Sequence, residues 1–114
     1  MTRKYEVEAF LESFKQKTKI WGLVVSDTRE VNSRALEELE LSPKKREEII
    51  TKLTISDYCQ GPKKANYGSD VWIFGVKHRQ KEIYIKLSLG ASNSSTLCIS
   101  FHIADYHMKY PFKN

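Results

Sequence analysis

Tyr84, Lys86 and His102 are side chains of the kinds that can break a phosphodiester bond. Cleaving RNA without a metal takes a base for the 2′-hydroxyl, an acid for the leaving oxygen and cations for the charge on the phosphoryl group. Histidine is the side chain whose unperturbed pKa lies nearest neutrality, so His102 suits the acid or base role. Tyr84 can donate a proton or a hydrogen bond, and a neighbouring Lys86 would ease formation of its phenolate. Lys86 can also hold phosphate oxygens. Each residue has a plain reading too: a hydrogen-bonded surface histidine, a half-buried strand tyrosine, a solubilising lysine. Their combination on one surface is what points to chemistry.

The elements that must position them are two alternating strands. Glu82-Ile83-Tyr84-Ile85-Lys86-Leu87-Ser88-Leu89 and Thr96-Leu97-Cys98-Ile99-Ser100-Phe101-His102 flank a polar loop, Gly90 to Ser95. Successive strand side chains point to opposite faces. Strict alternation puts Ile83, Ile85, Leu87, Leu89, Leu97, Ile99 and Phe101 toward a core, and Glu82, Tyr84, Lys86, Ser88, Cys98, Ser100 and His102 away from it. Cys98 has no activating partner in the sequence, so a cysteine-nucleophile reading is rejected.

Upstream, Val7, Phe10, Leu11 and Phe14 recur at helical spacing and predict an amphipathic helix from about Tyr5 to Lys19. Ile20 to Val25 reads as a strand or extended segment. Asn32 or Ser33 can cap a short helix over Arg34 to Glu40, with Ala35, Leu36 and Leu39 inward. Ser42-Pro43 starts a further helix that runs to about Leu53, with Lys44, Lys45 and Arg46 expected in solvent. Thr54 to Asp70 reads as a long connection, rich in turn formers, whose Tyr58, Gln60, Lys63, Lys64 and Tyr67 mix cations with aromatics as single-strand-binding surfaces do. Val71 to Val76 is a strand, and His78 to Lys81 a hairpin turn that lacks the Asn-Gly signal. Tyr106, His107, Met108, Tyr110 and Phe112 form an aromatic tail expected to pack as core. The prediction is one α+β domain over residues 1–114, with N-terminal helices packed on an antiparallel meander.

Charge narrows the partner. The net +5 lies wholly in residues 60–114, which hold eight Lys/Arg against three Asp/Glu, while residues 1–59 balance at eleven each. A basic surface attracts phosphates, so nucleic acid is the first partner to consider, with Gln60, Lys63, Lys64, Lys77 and Arg79 as RNA-binding candidates beside the catalytic three. Cys59 and Cys98 are read as free thiols, and with three scattered histidines they show no zinc spacing. No metal or cofactor is expected. No apolar run approaches a membrane span, and Met1 to Glu6 leads into no signal-peptide core, so a cytoplasmic protein is expected.

Five runs taken in order carry a family resemblance. Ser56-Asp57-Tyr58-Cys59-Gln60-Gly61-Pro62, Val71-Trp72-Ile73-Phe74-Gly75, Glu82-Ile83-Tyr84-Ile85-Lys86-Leu87, Cys98-Ile99-Ser100-Phe101-His102 and Tyr110-Pro111-Phe112 resemble the MqsR-type toxins of bacterial type II toxin–antitoxin systems. The likeness covers about residues 36–114. It implies a RelE-like fold and a metal-independent mRNA endoribonuclease held in check by a cognate antitoxin protein. The family's catalytic tyrosine matches Tyr84, whereas its final-strand lysine falls at about His102. A further family lysine matches Gln60, leaving Lys63 or Lys64 to substitute, and a family glutamine matches Ile73. The competing readings are a non-catalytic nucleic-acid-binding module and a protein-interaction domain docking through its aromatic tail.

Overall fold

The computed structural model describes residues 1–27 and 29–113. The heptad-like run Val7, Phe10, Leu11 and Phe14 is buried on one side of α1 (Lys4–Trp21). Ile20 and Trp21, expected to open a strand, instead complete the last helical turn and are exposed. Gly22 ends the helix with φ at 85°, a conformation that costs glycine little. The strand β1 (Leu23–Val25) therefore starts late and is short.

Helix α2 (Glu30–Leu39) begins before the expected cap, and Asn32 lies inside it, fully buried. Helix α3 (Pro43–Thr51) is capped as its sequence suggests, with the Lys45 N–H donating to Ser42 Oγ at 3.1 Å. Arg46 was expected in solvent with its neighbours, yet it is 4% exposed and forms a bidentate pair with Asp27 at 2.9 and 3.0 Å. The helical period explains this, because Arg46 stands four residues before the buried Ile50 on the same face.

The connection after α3 is not structureless. It holds one 3-10 turn (Ile55–Asp57) and β2 (Tyr58–Lys63), which pairs with β3 (Val71–His78). Gly61-Pro62 reads as a turn in sequence, but it lies within β2, an edge strand, where a proline without its N–H is tolerated. Tyr58 is buried, so it belongs to the core rather than to a binding surface. Strands β3 and β4 (Lys81–Ser88) are joined by Arg79 and Gln80 at φ 51° and 66°, the left-handed pair of a tight hairpin, reached here without glycine.

β5 (Thr96–Ile103) completes a five-stranded sheet of order β1-β5-β4-β3-β2. β1 runs parallel to β5, so the sheet is mixed and not the purely antiparallel meander expected. The fold is α+β, with three helices packed on that sheet. The core joins Phe74, Ile83, Ile85, Leu87 and Phe101 to Phe10, Phe14, Ala35, Leu39 and Ile50. Among the described residues no helix is long and apolar enough to cross a membrane.

One irregularity in β5 reverses part of the expected pattern. Lys86 pairs with Ser100 and Leu87 with Cys98, which leaves Ile99 as an extra residue in a bulge. Beyond the bulge the faces exchange. Cys98 therefore points into the core with Leu87 rather than outward, and Leu97 stands opposite Ser88. Asn32 of α2 stabilises this bend: its amide donates to Ile99 O at 2.8 Å and accepts from the Phe101 N–H at 3.1 Å. A side-chain amide thus replaces the strand partner that β1 stops providing after Cys98, satisfying backbone groups that would be costly to bury alone.

Candidate active site

Tyr84 and His102 face each other directly across β4 and β5. Their rings stack with centroids 5.2 Å apart and 14° between planes. Lys86, opposite Ser100, places Nζ 5.9 Å from the Tyr84 ring centre. The pairing holds because the alternation is unbroken from Ile83 to Lys86, on the near side of the bulge.

The hydrogen bonds assign part of the chemistry. His102 Nδ1 lies 3.0 Å from the Ile103 carbonyl, which can only accept, so the proton is on Nδ1 and the lone pair of the neutral ring is on Nε2. Burial raises the Tyr84 phenol above its ordinary value, with Tyr106 and Cys59 adding to the rise and the Arg29 charge opposing it. The expected easing of the phenolate by Lys86 is therefore not what governs Tyr84; desolvation wins, and the side chain is a proton or hydrogen-bond donor. Lys86 is lowered by burial first, then by the charges of Arg29 and Lys63.

Two clefts meet at this pair. One of about 240 Å³ is lined by Arg29, Tyr84, Lys86, Ser100, His102, Asp105 and Tyr106. The other, of about 460 Å³, includes Lys63, Lys64, Asn66, Tyr67, Tyr84 and Lys86. Tyr84 and Lys86 line both, so Lys63 and Lys64 open onto the same surface as the catalytic candidates. Ile73 also lines the second cleft, where it contributes apolar wall and no donor.

Other sequence candidates fall elsewhere. Gln60 lines a third cleft, of about 300 Å³, with Cys59, Tyr106 and His107. Arg79 is paired with Glu40 at 2.7 Å, and Lys77 stands opposite Glu82 toward the hairpin end; neither lines any of these clefts. Tyr106, expected in the core, is 59% exposed and borders two of them. Arg29 and Asp105 had no local signal; Arg29 reaches the site only because α2 starts beside the free edge of β5.

Of the remaining tail, Met108 and Tyr110 pack on the outer face, while Phe112 packs against the core cluster as expected. Gly75 pairs with Tyr84, and a Cβ there would meet Tyr110 Oη at 2.5 Å and Met108 Sδ at 2.9 Å. Glu82 anchors this strap, accepting from the Met108 N–H at 2.9 Å and the Tyr110 hydroxyl at 2.7 Å. Burial alone would raise the Glu82 carboxyl, but those two bonds, with His107 and Lys77, hold it below its ordinary value. Phe112 stacks on Tyr58 at 5.4 Å and ends the strap.

Neither thiol suits nucleophilic work. Both cysteines are free, and burial pushes each up to about 12, far from the lowered values of reactive thiols. A further cleft of about 450 Å³ lies between α1 and Trp72, with Glu6 and Asp70 among its lining, and offers no cation for phosphate. Among the described residues no three His, Cys, Asp or Glu side chains gather as a metal site would require. The chain matches no family model, no curated protein and no solved structure.

Proposed function

We propose that this protein is a metal-independent endoribonuclease of the MqsR type, with a RelE-like fold, that cleaves mRNA in the cytoplasm and is neutralised by a cognate antitoxin. The observation that carries the reading is the stacked Tyr84–His102 pair with Lys86 beside it. His102 Nε2 takes the proton of the 2′-hydroxyl. The 2′-oxygen attacks phosphorus as the bond to the 5′-oxygen breaks, and the Tyr84 phenol protonates that leaving oxygen. The products are a 2′,3′-cyclic phosphate and a 5′-hydroxyl. Lys86 holds the reacting phosphate, and Lys63 and Lys64 hold the strand alongside it.

The test is incubation of the purified protein with RNA in EDTA. Cleavage with cyclic-phosphate ends, lost when Tyr84 and His102 are both changed to Ala, is expected. Intact RNA, or cleavage untouched by the double change, sinks the proposal. The row of cationic clefts with exposed Tyr67 and Tyr106 favours one alternative, a non-catalytic RNA-binding module. It would show salt-sensitive binding without scission. Relief of growth arrest by co-expressing a small adjacent gene tests the antitoxin.

A further inference from the structure

We propose that Arg29 is a catalytic residue of this site, its guanidinium closing on the phosphoryl oxygens from the side opposite the lysines and stabilising the charge that develops as phosphorus is attacked. The inference rests on the ribonuclease reading above. Its first ground is placement. Arg29 Nη1 donates to Ile99 O at 3.0 Å and to Ser100 Oγ at 2.8 Å, on the strand that carries His102. Both bonds use Nη1, so Ile99 and Ser100 leave the rest of the fork unengaged, and Arg29 lines the cleft shared with Tyr84, Lys86 and His102. A planar fork anchored at one nitrogen and open at the others is suited to phosphate oxygens.

The second ground is rigidity. Two residues before Arg29, Asp27 is gripped by the buried Arg46 of α3. Three residues after it, Asn32 is locked to Ile99 and Phe101 of the β5 bulge. Arg29 stands at the N-cap position of α2, and although its side chain is exposed, its two Nη1 bonds to β5 already restrict it before a phosphate binds. Donors fixed before reaction stabilise charge that appears only in the transition state. The Arg29 charge is also felt at both Tyr84 and Lys86, which it pulls downward. The carboxylate among the lining residues, Asp105, is exposed to solvent.

Steady-state cleavage of a short single-stranded RNA by the wild type, R29A and R29K tests this. R29A is expected to lose about 10²–10³-fold in kcat, the cost of removing one preorganised donor, with KM and binding of a 2′-deoxy analogue nearly unchanged. Millimolar guanidinium should restore part of the R29A rate and leave the wild type alone, a rescue that a purely structural role would not allow. R29K keeps the charge without the fork and should fall between the two; it also carries the test if R29A does not fold. An R29A enzyme with wild-type kcat, or one that loses only affinity, overturns the inference and leaves the ribonuclease reading standing. A wild type that leaves RNA intact overturns both.

Discussion

The inner and outer faces of β4 and β5 are made from alternate residues of the same two strands, yet they are assembled in different ways. On the inner face Ile83, Ile85, Leu87, Cys98 and Phe101 are fully buried, each locked by the helices above it. On the outer face Tyr84, Lys86 and His102 are half-buried, and most of what surrounds them comes from elsewhere in the chain: Arg29 from the cap of α2, Lys63 to Tyr67 from the loop after β2, Tyr106 from the tail. The inner face is a packing problem that period-2 alternation already describes, except at the β5 bulge where Cys98 turns in. The outer face is a meeting point, and only the path of the chain decides who meets there.

Phe101 and His102 are consecutive residues on opposite faces, and they should separate the two roles most sharply. Phe101→Ala is expected to cost about 3–5 kcal/mol of stability, measured by chemical denaturation. His102→Ala should shift stability by no more than about 1 kcal/mol, while lowering RNA cleavage about 10²–10⁴-fold. A His102 variant as destabilised as the Phe101 variant would break the contrast.

Asn32 joins the two faces, because the bulge it stabilises turns Cys98 inward and holds the strand on which Arg29 rests. Asn32→Leu leaves the Phe101 N–H without its partner and the Ile99 carbonyl with Arg29 alone, and is expected to cost about 2–3 kcal/mol. Unlike a core truncation elsewhere, it should also lower kcat in the fraction that remains folded. Unchanged kcat in that fraction would show that the bulge serves packing alone.

The strap over Gly75 is the part of the outer face that behaves as core, and pH should reveal it. The Glu82 carboxyl is held below its ordinary 4.5 in the fold. Its contribution is therefore fully present above that unfolded value and is lost as pH falls through the lower folded one. Glu82→Gln should be about 1–2 kcal/mol less stable than the wild type at neutral pH. The gap between the two should close under acid, and a gap that persists there would place the effect in packing rather than charge.

The smallest effect is expected at the open end of the groove. Lys63→Ala and Lys64→Ala should each reduce the slope of log affinity against log salt by about 0.7, the value for one phosphate contact on a single strand, with no change in melting. An unchanged slope in both would remove that cleft from the path of the RNA.

Much of this is legible in the sequence. Spacing alone revealed α1 through Val7 to Phe14, the Ser42-Pro43 start of α3, and the outward set Tyr84, Lys86 and His102. Errors fell where tertiary partners outweighed local preference. Arg46 is buried because Asp27 meets it, β2 forms because β3 presents an edge, and Cys98 turns inward because Asn32 supports a bulge.

What the sequence by itself determined is everything with a short period: helical stripes, strand alternation, caps, and which face of each strand is polar up to the first irregularity. These follow from bonds and contacts within a few residues. What only the tertiary structure decided is which distant residues share a surface. Arg29 reaches Ser100, Lys63 and Lys86 border one cleft, and Tyr110 crosses Gly75, because the sheet order and the bulge bring them together across separations at which local pattern carries no information.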